Sequence, residues 1–347
     1  PYVLESFQKE AGTLTFIRNP HYPQTPHLDK IVYQLFSNED TMYLALQNGG
    51  VDMVWNYSAG VAGTYQDVLA ADEGIRLLHV TAANVPAVLA FNNAKGPFAD
   101  ENLRQAVSYA LDYDAFRTYF GSSSAEIPNR GFAPETTAGY KSTERLVTDT
   151  AKAANYMKAA GYTEKNADGI YVNAQGQTAA FTLTVNAAKE AHVGYAELIK
   201  TQLEQFGIQV TLDAVDKDSY NAKTSNKFSG NNITMEAAIY GYTAAGMGMG
   251  NGLGSIYVDG SHAVQGGCQV FDAEFTEILN EMKSANTLEE YYAGAAKLQD
   301  YYAAHVPLIA LCWDSMALAC SAGLDNLTVD AVFGLNNVNN WFTITKK

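Results

Sequence analysis

Residues 181–213 read FTLTVNAAKEAHVGYAELIKTQLEQFGIQVTLD. Phe181, Leu183 and Val185 alternate with Thr182 and Thr184, and Ile208, Val210 and Leu212 alternate with Gln209, Thr211 and Asp213. That period of two predicts a pair of half-buried strands. Between them Tyr195, Leu198, Ile199, Gln202, Leu203 and Phe206 recur at three- and four-residue spacing, which predicts a helix with one apolar face, and Gly207 closes it. A strand, a helix and a strand in that order predict a right-handed βαβ crossover, hence an α/β fold.

The same style extends upstream. Leu28 to Phe36 is an apolar, β-rich segment, Asp40 to Asn48 has helical density, and Val51 to Trp55 reads as a further strand after Asn48-Gly49-Gly50, giving a second strand-helix-strand unit of parallel type. Val85 to Phe91 is a strand, and Asp100 is the N-cap of a helix whose stripe is Leu103, Ala106, Val107, Ala110 and Leu111, with Arg104 and Gln105 off it. Residues 121–145 are a long loop, and a helix over 150–160 ends at Gly161.

Downstream, Met235 to Tyr242 is a strand that leads into a glycine-rich loop. One helix turns Phe275, Ile278, Leu279 and Met282 inward, and the next starts at Thr287 with Glu290 completing a capping box. Pro307 ends it, Leu308 to Trp313 is an apolar strand, and residues 323–347 return to a sheet.

Charge excludes one class of partner. Against 37 acidic residues stand 22 basic ones, a net charge of −15 with no Lys/Arg cluster, so the surface repels phosphate backbones and nucleic acid is not a partner. No run approaches the roughly 18 apolar residues of a membrane helix. Cys268, Cys312 and Cys320 match no zinc or thioredoxin spacing, and Cys312 and Cys320, in or beside an apolar run, read as small buried hydrophobes.

Several motifs dissolve on inspection. The loop Gly246-Met247-Gly248-Met249-Gly250 lacks both G-x-G-x-x-G spacing and a following Lys-Ser/Thr, so it is not a phosphate cradle. Asn166-Ala167-Asp168-Gly169 lacks the acidic ligands of a calcium loop and reads as a hairpin turn. The six histidines are scattered, and His262, near the glycine loop, is a candidate ligand contact. No catalytic signature occurs, and the chain reads as a binding protein that is not an enzyme and implies no cofactor. Tyr240 and Tyr242 stand at the end of a strand, where open α/β sheets put their ligand crevices, and tyrosine suits an extended polar ligand.

The order of segments carries a family resemblance. Pro1-Tyr2-Val3-Leu4 with Arg18-Asn19-Pro20-His21-Tyr22, Leu28-Asp29-Lys30-Ile31-Val32, Leu46-Gln47-Asn48-Gly49-Gly50-Val51-Asp52, Phe91-Asn92-Asn93 and Leu103-Arg104-Gln105-Ala106-Val107-Ser108-Tyr109-Ala110 resemble, in one register, the family 5 extracellular solute-binding proteins, which bind oligopeptides, dipeptides or nickel for ABC importers. Ala159-Ala160-Gly161-Tyr162, Leu203 to Val210 and Ala304 to Leu311 follow further stretches of that pattern.

The resemblance implies a two-lobed periplasmic-binding-protein architecture (type II, class C-like) closing on its solute by a hinge. Residues 1–91 would be part of lobe I, 92–312 lobe II and 313–347 the return to lobe I, with lobe I incomplete because a long segment precedes Pro1 in the family. It implies Tyr240, Tyr242, Thr243 and Trp313 as cleft contacts and Asn92 and Asn93 near the hinge. It implies ABC permease subunits as partners and an extracytoplasmic location, periplasmic or lipid-anchored to the outer face of the membrane. The expected solute is a peptide. In the family's peptide binders an aspartate soon after this strand pairs with the ligand's ammonium, whereas here Thr243-Ala244-Ala245-Gly246 holds no acid. An oligosaccharide, a nickel or haem complex, and a solute-sensing domain of a regulatory protein therefore stand as alternatives.

Overall fold

The alternating segments at the centre of the sequence form two strands, Ala180–Asn186 and Gln209–Val215, paired in parallel from Ala180↔Gln209 to Asn186↔Val215. The helix between them is Glu190–Phe206, with Tyr195, Ala196, Ile199 and Leu203 buried. Gly207 ends it at φ +117°, where a Cβ would lie 2.7 Å from the Gly169 carbonyl oxygen, so glycine is required on both counts.

The structure, a computed structural model, describes residues 1–55, 60–121, 125–137, 139–225, 232–242, 268–330 and 333–347. In chain order the strands are β1 (Tyr2–Gln8), β2 (Thr13–Arg18), β3 (Lys30–Gln34), β4 (Ile75–Phe91), β5 (Tyr162–Lys165), β6 (Tyr171–Asn173), β7 (Ala180–Asn186), β8 (Gln209–Val215), β9 (Ala237–Tyr242), β10 (Leu308–Ala310), β11 (Asp314–Ser321), β12 (Leu324–Asp325) and β13 (Thr345–Lys346). The helices are α1 (Glu39–Gln47), α2 (Gly63–Ala70), α3 (Glu101–Ala110), α4 (Tyr113–Phe120), α5 (Thr150–Ala159), α6 (Glu190–Phe206), α7 (Lys217–Thr224), α8 (Ala273–Ser284), α9 (Leu288–His305) and α10 (Val338–Thr343).

The chain divides into two compact units, residues 1–81 with 315–347, and residues 82–314. Strands β4 and β11 make the two crossings. The first crossing falls inside β4, which starts at Ile75, earlier than the Val85 expected from sequence, and runs through the boundary.

In the first unit β1, β2 and β3 form an antiparallel sheet with Leu4↔Phe16 and Phe16↔Ile31 in register. The parallel strand-helix-strand unit expected here does not form. Gly12, at φ +63°, turns β1 back on β2, β3 adds antiparallel, and residues 51–55 contribute a single bridge, Met53↔Cys320. The core of this unit gathers Tyr43, Leu46, Val54, Leu69, Ile75, Ala317 and Ala319. Its C-terminal tail pairs β12 with β13 and holds the unexpected helix α10.

In the second unit the strands run in the order β10-β4-β9-β7-β8. Both faces are covered. Leu89 and Phe91 of β4 pack with α3, α4, α5 and α6 on one side, and Val88 and Ala90 with α8 and α9 on the other. This explains why residues 85–91 are a continuous apolar run. On α3, Arg104 and Gln105 are buried although they leave the apolar stripe. They cover the C-terminus of α9: Arg104 donates to the carbonyls of Phe98 and His305, Gln105 to that of Ala304, and Arg130 to that of Ala303 and to Gln105 Oε1. Three carbonyls with no partner inside the helix are thus satisfied, two of them by cations at the negative end of the helix dipole.

Candidate functional site

Sheet direction in the second unit fixes where a ligand edge can lie. β7 and β8 end together at Asn186 and Val215, and β9, parallel to β7 through Leu183↔Ala237 and Thr184↔Ala238, ends at Tyr242 on the same side. β4 is antiparallel to β9, with Val85 opposite Tyr242, and β10 is antiparallel to β4, so the chain leaves β10 toward Trp313 and Asp314 at this edge too. The carboxyl ends of three strands and both covalent links to the first unit thus share one edge. Open α/β sheets bind their ligands outside such carboxyl ends.

The expected site residues distribute unevenly over this frame. Tyr242 lies at the edge, with its backbone alone described, and Thr243 and His262 lie outside the described residues. Tyr240 is turned into the α8/α9 core, where its hydroxyl donates to the Thr224 carbonyl at 3.2 Å and its ring meets Tyr220 edge-on. Trp313 is fully buried in the same core, and its indole N–H donates to the Phe132 carbonyl at 3.0 Å.

Asn92 and Asn93 sit at the opposite edge, beyond the Phe91↔Ala237 pair. Their amides are spent on main chain. Asn92 Nδ2 donates to Met235 O while its Oδ1 accepts from the amides of Ala94 and Lys95. Asn93 Nδ2 donates to the carbonyls of Phe91, Cys268 and Pro307. The pair is a knot that ties the far end of β4 to neighbouring strands and loops.

The edge contains residues that sequence reading passed over. His192, in the first turn of α6, is buried and brings Nε2 to 3.2 Å from the Pro86 carbonyl oxygen. Burial pushes its imidazole down to about 4, the charge of Lys189 acts in the same direction, and the Pro86 carbonyl opposes them. Asp216 follows β8 and caps α7, accepting from the amides of Asp218 and Ser219 and from the Ser219 hydroxyl. Those bonds from Ser219 hold its carboxyl below the usual range. Cys312 beside the edge is a buried thiol raised to about 12, chiefly by desolvation. A proline inside a predicted strand, opposite a glycine in the next, was the available signal for this arrangement.

The model of the bacterial extracellular solute-binding proteins, family 5 (Middle), matches residues 1–253. The chain belongs to that family. Among curated relatives, this family 5 chain is 27% identical over 165 residues to the dipeptide-binding protein of Escherichia coli, covering 46% of this chain and 29% of that protein. It is 23% identical over 296 residues to heme-binding protein A of Haemophilus influenzae, covering 84% of this chain and 49% of the relative. The fold matches NikA from Brucella suis, solved in complex with Fe(III)-EDTA, with a TM-score of 0.78 at 17% identity, over 100% of this chain and 68% of NikA. The family 5 chain thus aligns with under half the length of these two curated relatives, and its likeness to the solved structure is one of two-lobed α/β fold. No helix among the described residues is long and apolar enough to cross a membrane, and no three His, Cys, Asp or Glu among them converge as metal ligands.

Proposed function

We propose that the protein bearing this chain is the extracytoplasmic receptor of an ABC importer, and that it captures a small solute, a peptide first, against the Tyr242 edge of the second unit before delivering it to the permease. The observation that carries the reading is the convergence of the carboxyl ends of β7, β8 and β9 with both chain crossings on one edge. Tyrosine at the end of β9 offers flat apolar contact and a hydroxyl to an extended polar ligand. The solute is bound and released unchanged. The receptor works outside the cytoplasm, in the periplasm or held to the membrane by a lipid.

A second reading, haem or a metal chelate as solute, is favoured by one observation: the haem-binding relative aligns over 84% of this chain and the dipeptide-binding one over 46%. Thermal unfolding of the protein with L-tetraalanine, haem and a nickel–histidine chelate separates the two. A ligand at one hundred times its Kd adds about 2.7 kcal/mol of apparent stability. The tetrapeptide is expected to raise the midpoint; a rise with haem or the chelate alone transfers the assignment, and no rise with any of them overturns capture at this edge.

A further inference from the structure

Where β9 nears its end, the ladder with β4 slips. Val85 pairs with Tyr242 and Val88 with Tyr240, so Pro86 and Ala87 together oppose Gly241. This is a β-bulge, a device that bends a strand and re-aims the residues beside it. It also explains how a proline sits in a strand flanked on both sides, since the bulge removes the ladder position whose N–H proline lacks.

Two further residues fit the bulge closely. A methyl group on Gly241 would lie 2.6 Å from Pro86 O and 3.2 Å from His192 Nε2, so only glycine allows the two strands and the imidazole to meet there. His192 is 8% exposed and directs Nε2 at the Pro86 oxygen at 3.2 Å. A carbonyl can only accept, so the bond requires the proton on Nε2.

We propose that His192 is a positioning residue for the ligand edge: by donating Nε2–H to the Pro86 carbonyl it locks the bulge, and the locked bulge sets the path of β9 through Gly241 and Tyr242 and of β4 toward the crossing at Thr81 and Ala82. The bulge lock stands on geometry alone; its consequence for ligands rests on the capture reading.

Amide hydrogen exchange of the full chain tests the lock without a ligand. In His192→Leu, exchange over 83–88 and 239–242 should rise about tenfold, the loss of one buried hydrogen bond, while β7 and β8 keep their protection. His192→Gln, whose side-chain amide can donate to the same carbonyl, should restore most of it. Unchanged exchange in the leucine variant, or a rise spread evenly over the sheet, overturns the lock. If the leucine variant does not fold, the imidazole ¹⁵N spectrum of the wild-type protein decides, since protonation on Nδ1 alone contradicts the bond.

Calorimetry with L-tetraalanine then tests the consequence. Wild type and glutamine variant should bind alike and the leucine variant about tenfold more weakly, and a loosened bulge with unchanged affinity overturns the positioning role. A wild-type protein that binds neither tetrapeptide, haem nor nickel–histidine overturns the capture reading and the positioning role with it, and the exchange result still decides the lock.

Discussion

Arg104 donates twice to the main-chain carbonyl of His305, from Nε at 3.1 Å and from Nη2 at 3.0 Å, and once to Phe98 O from Nη1 at 2.8 Å. The guanidinium thus joins the turn before α3 to the end of α9. Its surroundings lower its pKa, with desolvation as the first cause and Glu101 opposing it.

Replacing Arg104 with leucine leaves buried carbonyls without donors and is expected to destabilise the protein by about 3 kcal/mol. Arg104→Lys should recover only part of this, because an ammonium cannot reproduce the planar fork that reaches both carbonyls. Urea denaturation followed by circular dichroism measures both; a leucine variant as stable as wild type would show that the cap is idle.

Asn93 answers a different question. Asn93→Ala removes the donor shared by Phe91, Cys268 and Pro307 and should cost about 2 kcal/mol in urea denaturation while leaving solute affinity unchanged, since the knot lies at the edge opposite Tyr242. Loss of affinity with full stability would return Asn93 to the ligand side.

His192 gives a pH dependence of known sign. Its folded pKa is about 4 against an ordinary 6.5, so between those values the unfolded chain carries a proton that the folded chain lacks. Stability should therefore rise with pH across that window by up to about 3 kcal/mol, be complete above pH 6.5 and be lost toward pH 4. Carboxylates titrate in the same range, so the measured quantity is the difference between wild type and His192→Gln. Equal slopes in the two proteins would mean that the imidazole is already solvated when folded.

The parts of this fold that were legible in sequence are those set by local periodicity. The alternation at Phe181–Val185, the stripe of α6 and the box at Thr287 and Glu290 each declare an element through neighbours on the same segment. Pairing between distant segments leaves no such mark: the segment of β3 reads as part of a parallel unit and joins an antiparallel meander. Arg104 and Gln105 look solvent-facing on a helical wheel because their partners, the last carbonyls of α9, are supplied some two hundred residues away. The same applies to the site. Tyr242 is legible as a strand end, whereas the packing of Tyr240 and Trp313 into the α8/α9 core depends on segments distant in the sequence. His192 was missed because its meaning depends on a bulge in another strand.

Capture at the Tyr242 edge is tested by calorimetric titration of wild type and Tyr242→Ala with L-tetraalanine at matched folded fraction. Wild type should give a saturable heat and the variant should bind at least about tenfold more weakly, the loss of one aromatic contact and its hydroxyl. Equal affinity in the two proteins would contradict it.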